Sequence, residues 1–568
     1  MNTRKTPLYA MLLATATMVS AATPKIAPDL RSRYLPAGTS VDVIVQFHGG
    51  FTAQHHAKVV QRGGVLAHRL ETVNGGAYRL PADQLQFLAD DPDVEYISPD
   101  RPVQATAFSG TPDYGWMTVI DATSISATLP YDGTGIGVAV IDSGIWSGKQ
   151  QDLEDGDGDT RVVYAQSFLP GNTDVHDYYG HGTHVAGLVG GDGARSSGSN
   201  SIYLIRGIAP NVKLINLRVL DNNGNGTDSN VIAAIQAAIK LKSQYNIRVI
   251  NLSLGRPISV SYVNDPLCQA VAQAWNAGII VVVAAGNNGR DNSEGTNGYA
   301  TIGAPGNSPS AITVGAMNTM GTPSRADDKI TSYSSKGPTL LDHVVKPDLV
   351  APGNRIISVE AYTGAYLVTN YPQSDVPQWL YLAGGGNATN WYYQMSGTSM
   401  ATPMVSGAAA LLVQKNPNLT PDQVKAILMK TASKFSQTSS VATDPMTGIS
   451  YTDYYDIFTV GAGYLDIPAA LASNDLPVGS ALSPTATYDN ASGNVYLVEG
   501  SSTVWVNIAA MRTSVVWGTS VVSGATAVWG TQAIWGARCS VVWGTQAVWG
   551  AGSAMTSDAA AIAINGDN

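Results

Sequence analysis

The chain has 568 residues, 44% of them hydrophobic and 13% charged, with a mean hydropathy of +0.01; this supports several cores and excludes a disordered chain. The formal net charge is −10, and beyond residue 110 there are 22 Lys and Arg against 33 Asp and Glu, a balance that argues against a nucleic-acid binder. Only two cysteines are present, Cys268 and Cys539, which excludes a disulfide framework and a Cys-based zinc site.

Residues 1–22 carry Arg4 and Lys5, an apolar run from Leu8 to Val19, and Val19-Ser20-Ala21 as a small-x-small cleavage site. This is the layout of a secretory signal peptide, and the run falls short of the roughly 20 residues that span a bilayer. Export is expected, with no transmembrane segment. In residues 23–110, strands are predicted at 41–47, 76–80 and 94–100 and helices at 53–62 and 82–90, a small α+β unit. Thr106 to Asp113 reads as a linker.

The central stretch, 111–473, changes pattern. Near-continuous apolar runs at 135–141, 212–220, 247–254, 279–285 and 311–316 read as strands covered on both faces. Between them lie helices with legible ends: 229–242, about 266–277 with Asp265 as N-cap, Pro266 at the first position and Gly278 as the stop, and one starting at Thr420-Pro421-Asp422-Gln423. Such alternation implies an α/β fold with a doubly wound, mainly parallel sheet. The extension at 474–568 has seven charged residues, no lysine, and a hexapeptide repeat typified by TSVVWG (513–518) and TQAVWG (545–550). Its even period keeps each Trp of an extended chain on one side, so a β-rich tail is expected. Three roles stay open for it: self-packed turns, a cell-surface or polymer contact, or a segment removed after export.

Three motifs carry chemistry. GVAVIDSG leaves Asp142 at the carboxyl end of a buried strand, where open α/β sheets place ligands. GHGTHVAG places His181 at a helix start, and MSGTSMATP places Ser399 at the start of a small-residue helix. A serine hydroxyl needs an adjacent imidazole base and a carboxylate that orients it. With these motifs in the order Asp, His, Ser, the sequence resembles the subtilisin-like serine peptidases, the subtilase family, over about residues 115–470.

That resemblance implies an Asp142–His181–Ser399 triad acting through an acyl-enzyme, with Asn287 of AAGNNG in the oxyanion hole and no catalytic cofactor. It implies substrate strands paired to Gly224, Asn225 and Gly226 on one side and Ser253, Leu254 and Gly255 on the other, with Gly303 at the P1 pocket. It also makes the unit at 23–110 an inhibitory propeptide, cut between about Gln104 and Asp113, so that the enzyme is a zymogen acting on protein and peptide substrates. In DLEDGDGD, Asp152, Asp155, Asp157 and Asp159 are either a calcium site or a solvated acidic loop. The aromatic segment 361–392 either rims the cleft or forms a surface hairpin. The rival functions are a surface adhesion or binding protein with a vestigial peptidase domain, and a narrow-specificity processing peptidase.

Overall fold

The structure is a computed structural model that describes residues 25–31, 38–105, 131–146, 151–155, 158–293, 295–388, 391–444, 447–489, 494–498 and 567. The expected signal peptide at 1–22, the expected linker at 106–113, Asp157, Cys539 and the Trp repeats lie outside the described residues.

Residues 38–105 begin with β1 (Ser40–Phe47), α1 (Ala53–Gln61), β2 (Val65–Leu70), β3 (Gly75–Pro81), α2 (Leu85–Ala89) and β4 (Val94–Pro99). Their antiparallel sheet runs β2-β3-β1-β4. The predicted order holds, but β2 was not read. Its VLAHRL sits at the sheet edge with only Leu70 buried, and His68 and Arg69 interrupt its apolar residues, so little burial selects a strand pattern. A further strand, β5 (Pro102–Ala105), leaves this sheet altogether.

The central body contains β6 (Gly137–Asp142), β7 (Val162–Ser167), α3 (His181–Gly190), β8 (Lys213–Arg218), β9 (Asn225–Thr227), α4 (Asp228–Tyr245), β10 (Ile247–Leu252), β11 (Leu254–Gly255), α5 (Pro266–Asn276), β12 (Ile280–Ala284), β13 (Ile312–Asn318), β14 (Lys329–Ile330), β15 (Leu349–Pro352), β16 (Ile356–Val359), β17 (Tyr392–Met395), α6 (Thr398–Lys415) and α7 (Pro421–Thr431). Eight strands form one sheet in the order β14-β13-β12-β10-β6-β8-β7, with β15 also on β13. All pairs are parallel except β13 with β14. Every residue of β6 is buried. Val138 and Val140 face a core shared with Val185 of α3 and Val405 of α6; Ala139 and Ile141 face one shared with Val231 of α4 and Val271 of α5. Strand alternation thus builds two cores on the two faces of one sheet.

The first unit docks on α4 and α5. Ile44, Leu70, Val73 and Ala77 join the second core, and Thr72 donates twice to Gln236 Oε1 of α4, at 3.0 Å each. Asp100 reaches the start of α4, accepting from Ser229 N–H at 2.8 Å and Ser229 Oγ at 2.6 Å, a cap supplied from outside the body. At the other end, residues just past 473 stay packed on the body: Lys425 Nζ donates to Ser483 Oγ at 2.7 Å and Ala486 N–H to His343 O at 2.8 Å.

Candidate active site

β6 ends on Asp142, so its carboxylate stands at the carboxyl edge of the sheet. Asp142 Oδ1 accepts from His181 Nδ1 at 2.7 Å and from Ser143 N–H at 2.8 Å, and all three side chains are buried. His181 opens α3, and a residue the sequence reading missed holds that start. Asp177 accepts from Gly180 N–H (2.7 Å), from Thr183 N–H and Oγ (2.8 Å each), and from Ser143 Oγ (2.8 Å). One carboxylate thereby ties the histidine helix to the residue after Asp142. The signal was present in DYYGHGT: an acidic side chain just ahead of a glycine-led helix is a capping pattern. One turn on, His184 is pushed down to about 3, by burial first and His181 second. It stays neutral, with Nε2 against the carbonyls of Ile356 (3.1 Å) and Tyr393 (3.0 Å).

Ser399 is the second residue of α6. Pro403 sits four residues later and has no N–H to give the Ser399 carbonyl. Ser253 Oγ fills that role at 2.9 Å, and in return Ser399 Oγ donates to Ser253 O at 3.0 Å. His181 Nε2 is buried without a hydrogen-bond partner among the described residues. Asn287 lies beside the same turn: its Oδ1 accepts from Thr398 N–H (2.9 Å) and Thr398 Oγ1 (3.0 Å), which fixes the amide plane at the serine.

The segments 224–226 and 253–255 flank a strand of the first unit. β5 pairs antiparallel with β11 on one side, Ala105 opposite Leu254 and Gln104 opposite Gly255. On the other side it pairs with β9, Gln104 opposite Asn225 and Val103 opposite Gly226. Ala105 N–H also donates to Gly224 O at 3.1 Å. Val103 is fully buried. Gly224 has φ +78°, and a Cβ there would come within 2.6 Å of the Tyr179 ring, so Tyr179 fills the space beside this edge. Gly303 donates its N–H to Ala285 O at 3.0 Å, and its neighbour Ala304 pairs with Arg256 in both directions, which sets it alongside the continuation of β11.

The aromatic segment 361–392 divides. Tyr381 and Tyr392 are core residues, whereas Tyr366 stacks on Tyr179 at 5.8 Å and Tyr362 on Trp146 at 4.3 Å, near the His181 end of the cleft.

The acidic loop differs from the four-carboxylate reading. Asp152 is buried, turned inward to Tyr392 Oη and to Arg195 N–H (2.8 Å). Asp155 Oδ1 is occupied by Asp159 N–H at 3.0 Å. Among the described residues no three His, Cys, Asp or Glu side chains are placed to hold a metal ion. Among the described residues Asp152, Asp155 and Asp159 do not gather as a ligand set, the Tyr392 hydroxyl engaging Asp152.

A mainly parallel α/β sheet, with Asp142 and His181 paired at the carboxyl end of β6 and Ser399 bonded to Ser253 just past β10, has the architecture of the subtilisin-like class. The chain belongs to this family: the model described as "Subtilase family" matches residues 133–452. It is 39% identical over 313 residues to "Serine protease AprX" of Bacillus subtilis, covering 53% of this chain and 62% of that protein. To "Subtilisin E" of Bacillus subtilis it is 33% identical over 401 residues, covering 70% of this chain and 86% of that one. Its fold also matches fervidolysin from Fervidobacterium pennivorans, described as a keratinolytic enzyme related to subtilisin, with a TM-score of 0.55 and 23% identity over 83% of this chain and 66% of that one. Among the described residues no helix is long and apolar enough to cross a membrane.

Proposed function

We propose that this chain is a secreted serine endopeptidase made as a self-processed zymogen, with Asp142, His181 and Ser399 as its triad. The observation that carries the reading is the 2.7 Å contact between Asp142 and His181 Nδ1 at the edge of a cleft already filled by β5. With Nδ1 donating to Asp142, Nε2 is the nitrogen that takes a proton. Ser399 leaves the Ser253 carbonyl, gives its proton to His181 Nε2, and its Oγ bonds to the substrate carbonyl carbon. The oxyanion is met by the Asn287 side-chain amide and the Ser399 N–H. His181 then gives its proton to the leaving amine, and water releases the acyl group by the reverse path.

Residues 23–110 act as the inhibitory propeptide, and β5 marks how a substrate binds: as a strand added between two edges. β5 is described as far as Ala105, opposite Leu254, whose neighbour Ser253 accepts from the Ser399 hydroxyl. We place the self-cleaved bond between Thr106 and Ala107.

Intact mass spectrometry of the secreted protein tests this, with and without a fluorophosphonate probe and beside Ser399→Ala. The expected wild type begins at Ala107 and takes one label, while the variant stays uncut and unlabelled. A wild type that remains uncut and unlabelled refutes the reading.

A further inference from the structure

Beyond the Trp repeats, one residue of the tail is fixed on the body. Asp567 is fully buried. Its Oδ1 accepts from Arg290 Nη2 and from Ser332 Oγ, each at 2.7 Å, and its Oδ2 from Ser332 N–H at 2.5 Å. Its main chain is read as well. Asn354 accepts the Asp567 N–H on Oδ1 at 3.1 Å and donates from Nδ2 to the Asp567 carbonyl at 3.2 Å; Asn318 Nδ2 reaches that carbonyl at 3.4 Å. Side-chain carboxylate and peptide group are thus recognised together, which a simple surface ion pair does not do.

The groups that hold Asp567 are themselves held by the body. Arg290 Nε donates to Ser332 Oγ at 2.7 Å, Arg290 Nη1 lies 3.2 Å from Asp444, and the guanidinium covers the Tyr451 ring at 5.3 Å. Tyr333 Oη donates to Gly353 O at 3.0 Å, just before Asn354. A pocket built this way loses little freedom when it is filled. It also has a defined depth: all four lining side chains are nine-tenths or more buried, so a longer carboxylate would be forced out of register with Asn354, and an amide would forgo the charge paired with Arg290.

We propose that Arg290, Ser332, Asn318 and Asn354 form a docking site for an aspartyl residue of a peptide segment, and that its occupant is the Asp567 segment of the same chain. The site adjoins the catalytic loops. Arg290 lies three residues after Asn287, and Asn354 follows Gly353, whose carbonyl accepts Gly397 N–H at 2.7 Å. Its consequence is retention: Asp567 stays on the body even where the chain between residues 499 and 566 is cut. The proposal does not rest on the peptidase reading.

The test uses the full chain with Ser399→Ala, so that it does not digest itself, and a fluorescent peptide of residues 561–568, AIAINGDN. With Asp567→Ala added, the vacated site binds one peptide per chain, at least about 10-fold tighter than the chain that keeps Asp567. A peptide with Asn in place of the aspartate binds at least about 10-fold more weakly, the scale of a charge-assisted pair. Arg290→Gln removes that preference, and Asn354→Ala weakens both peptides, each checked for an unchanged far-ultraviolet spectrum. Absence of peptide binding to the Asp567→Ala chain, or equal binding of the two peptides, overturns the site. A chain that sediments as a dimer until Asp567 is replaced overturns the same-chain assignment.

Discussion

Glu360→Gln is expected to stabilise the protein at neutral pH. Glu360 follows β16 and is 1% exposed; burial first, and the nearby Asp375 carboxylate second, push it from the ordinary 4.5 up to about 9. The folded state therefore keeps a proton that the unfolded chain gives up. Stability from this group is complete below pH 4.5 and declines as pH rises toward 9. One unit corresponds to about 1.36 kcal/mol, so the wild type gives up about 3 kcal/mol between pH 4.5 and 7. Glutamine has the same shape and does not titrate, so it removes this slope while leaving stability near pH 4 almost unchanged. Urea unfolding of both proteins on the Ser399→Ala background, at half-unit steps from pH 4 to 9, isolates Glu360 with its neighbour Asp375, because titrations elsewhere cancel in the difference. A difference that stays flat across this range, or a glutamine variant that grows less stable relative to wild type as pH rises, refutes the reasoning.

Three further outcomes concern the site. Ser399→Ala and Asp142→Asn should each lower kcat by about 10⁴-fold or more, measured with a chromogenic peptide, the Asp142 change acting through the His181 tautomer. Asn287→Ala should cost about 10²- to 10³-fold in kcat with little change in KM, the loss known for such a donor in a subtilisin; an unchanged kcat would remove Asn287 from the oxyanion hole. Val103→Asp, which places a charge in a fully buried position, and Asp100→Ala, which removes the cap on α4, should each weaken inhibition by the first unit, the cap by about 1 kcal/mol or 5-fold. The readout is the delay before activity appears in the culture medium; an unchanged delay counts against β5 as the inhibitory strand.

Much of this was readable where local chemistry and burial agree. The runs around Val138, Ile215, Val249 and Val282 are apolar on both faces because the sheet is covered on both, and their period needs no partner to be seen. The ends of α5 were legible for a similar reason: Asp265 accepts from Leu267 N–H at 3.0 Å and Gly278 takes φ +79°, both properties of the residues themselves. So was the capping box of α7, Thr420 with Gln423. Long-range determinants were not legible. Pro102–Ala105 has no strand pattern of its own, and its partners lie more than a hundred residues away. Asp152 looks like its acidic neighbours in sequence, and only the arrival of Tyr392 from 240 positions on separates it from them. Asp567 is equally silent until Arg290 and Asn354 are set around it.

A proline inside a helix is ordinarily counted as a defect, yet Pro403 makes a joint. By withholding an N–H from the Ser399 carbonyl, it leaves that carbonyl to Ser253, and α6 becomes fastened to the residue before β11 by two reciprocal bonds. On the proposed function, the edge that receives a peptide and the oxygen that attacks it are then tied directly to each other. In that proposal a displacement of the edge would pull on the Ser399 turn through both bonds, coupling the seating of a chain to the position of the serine oxygen.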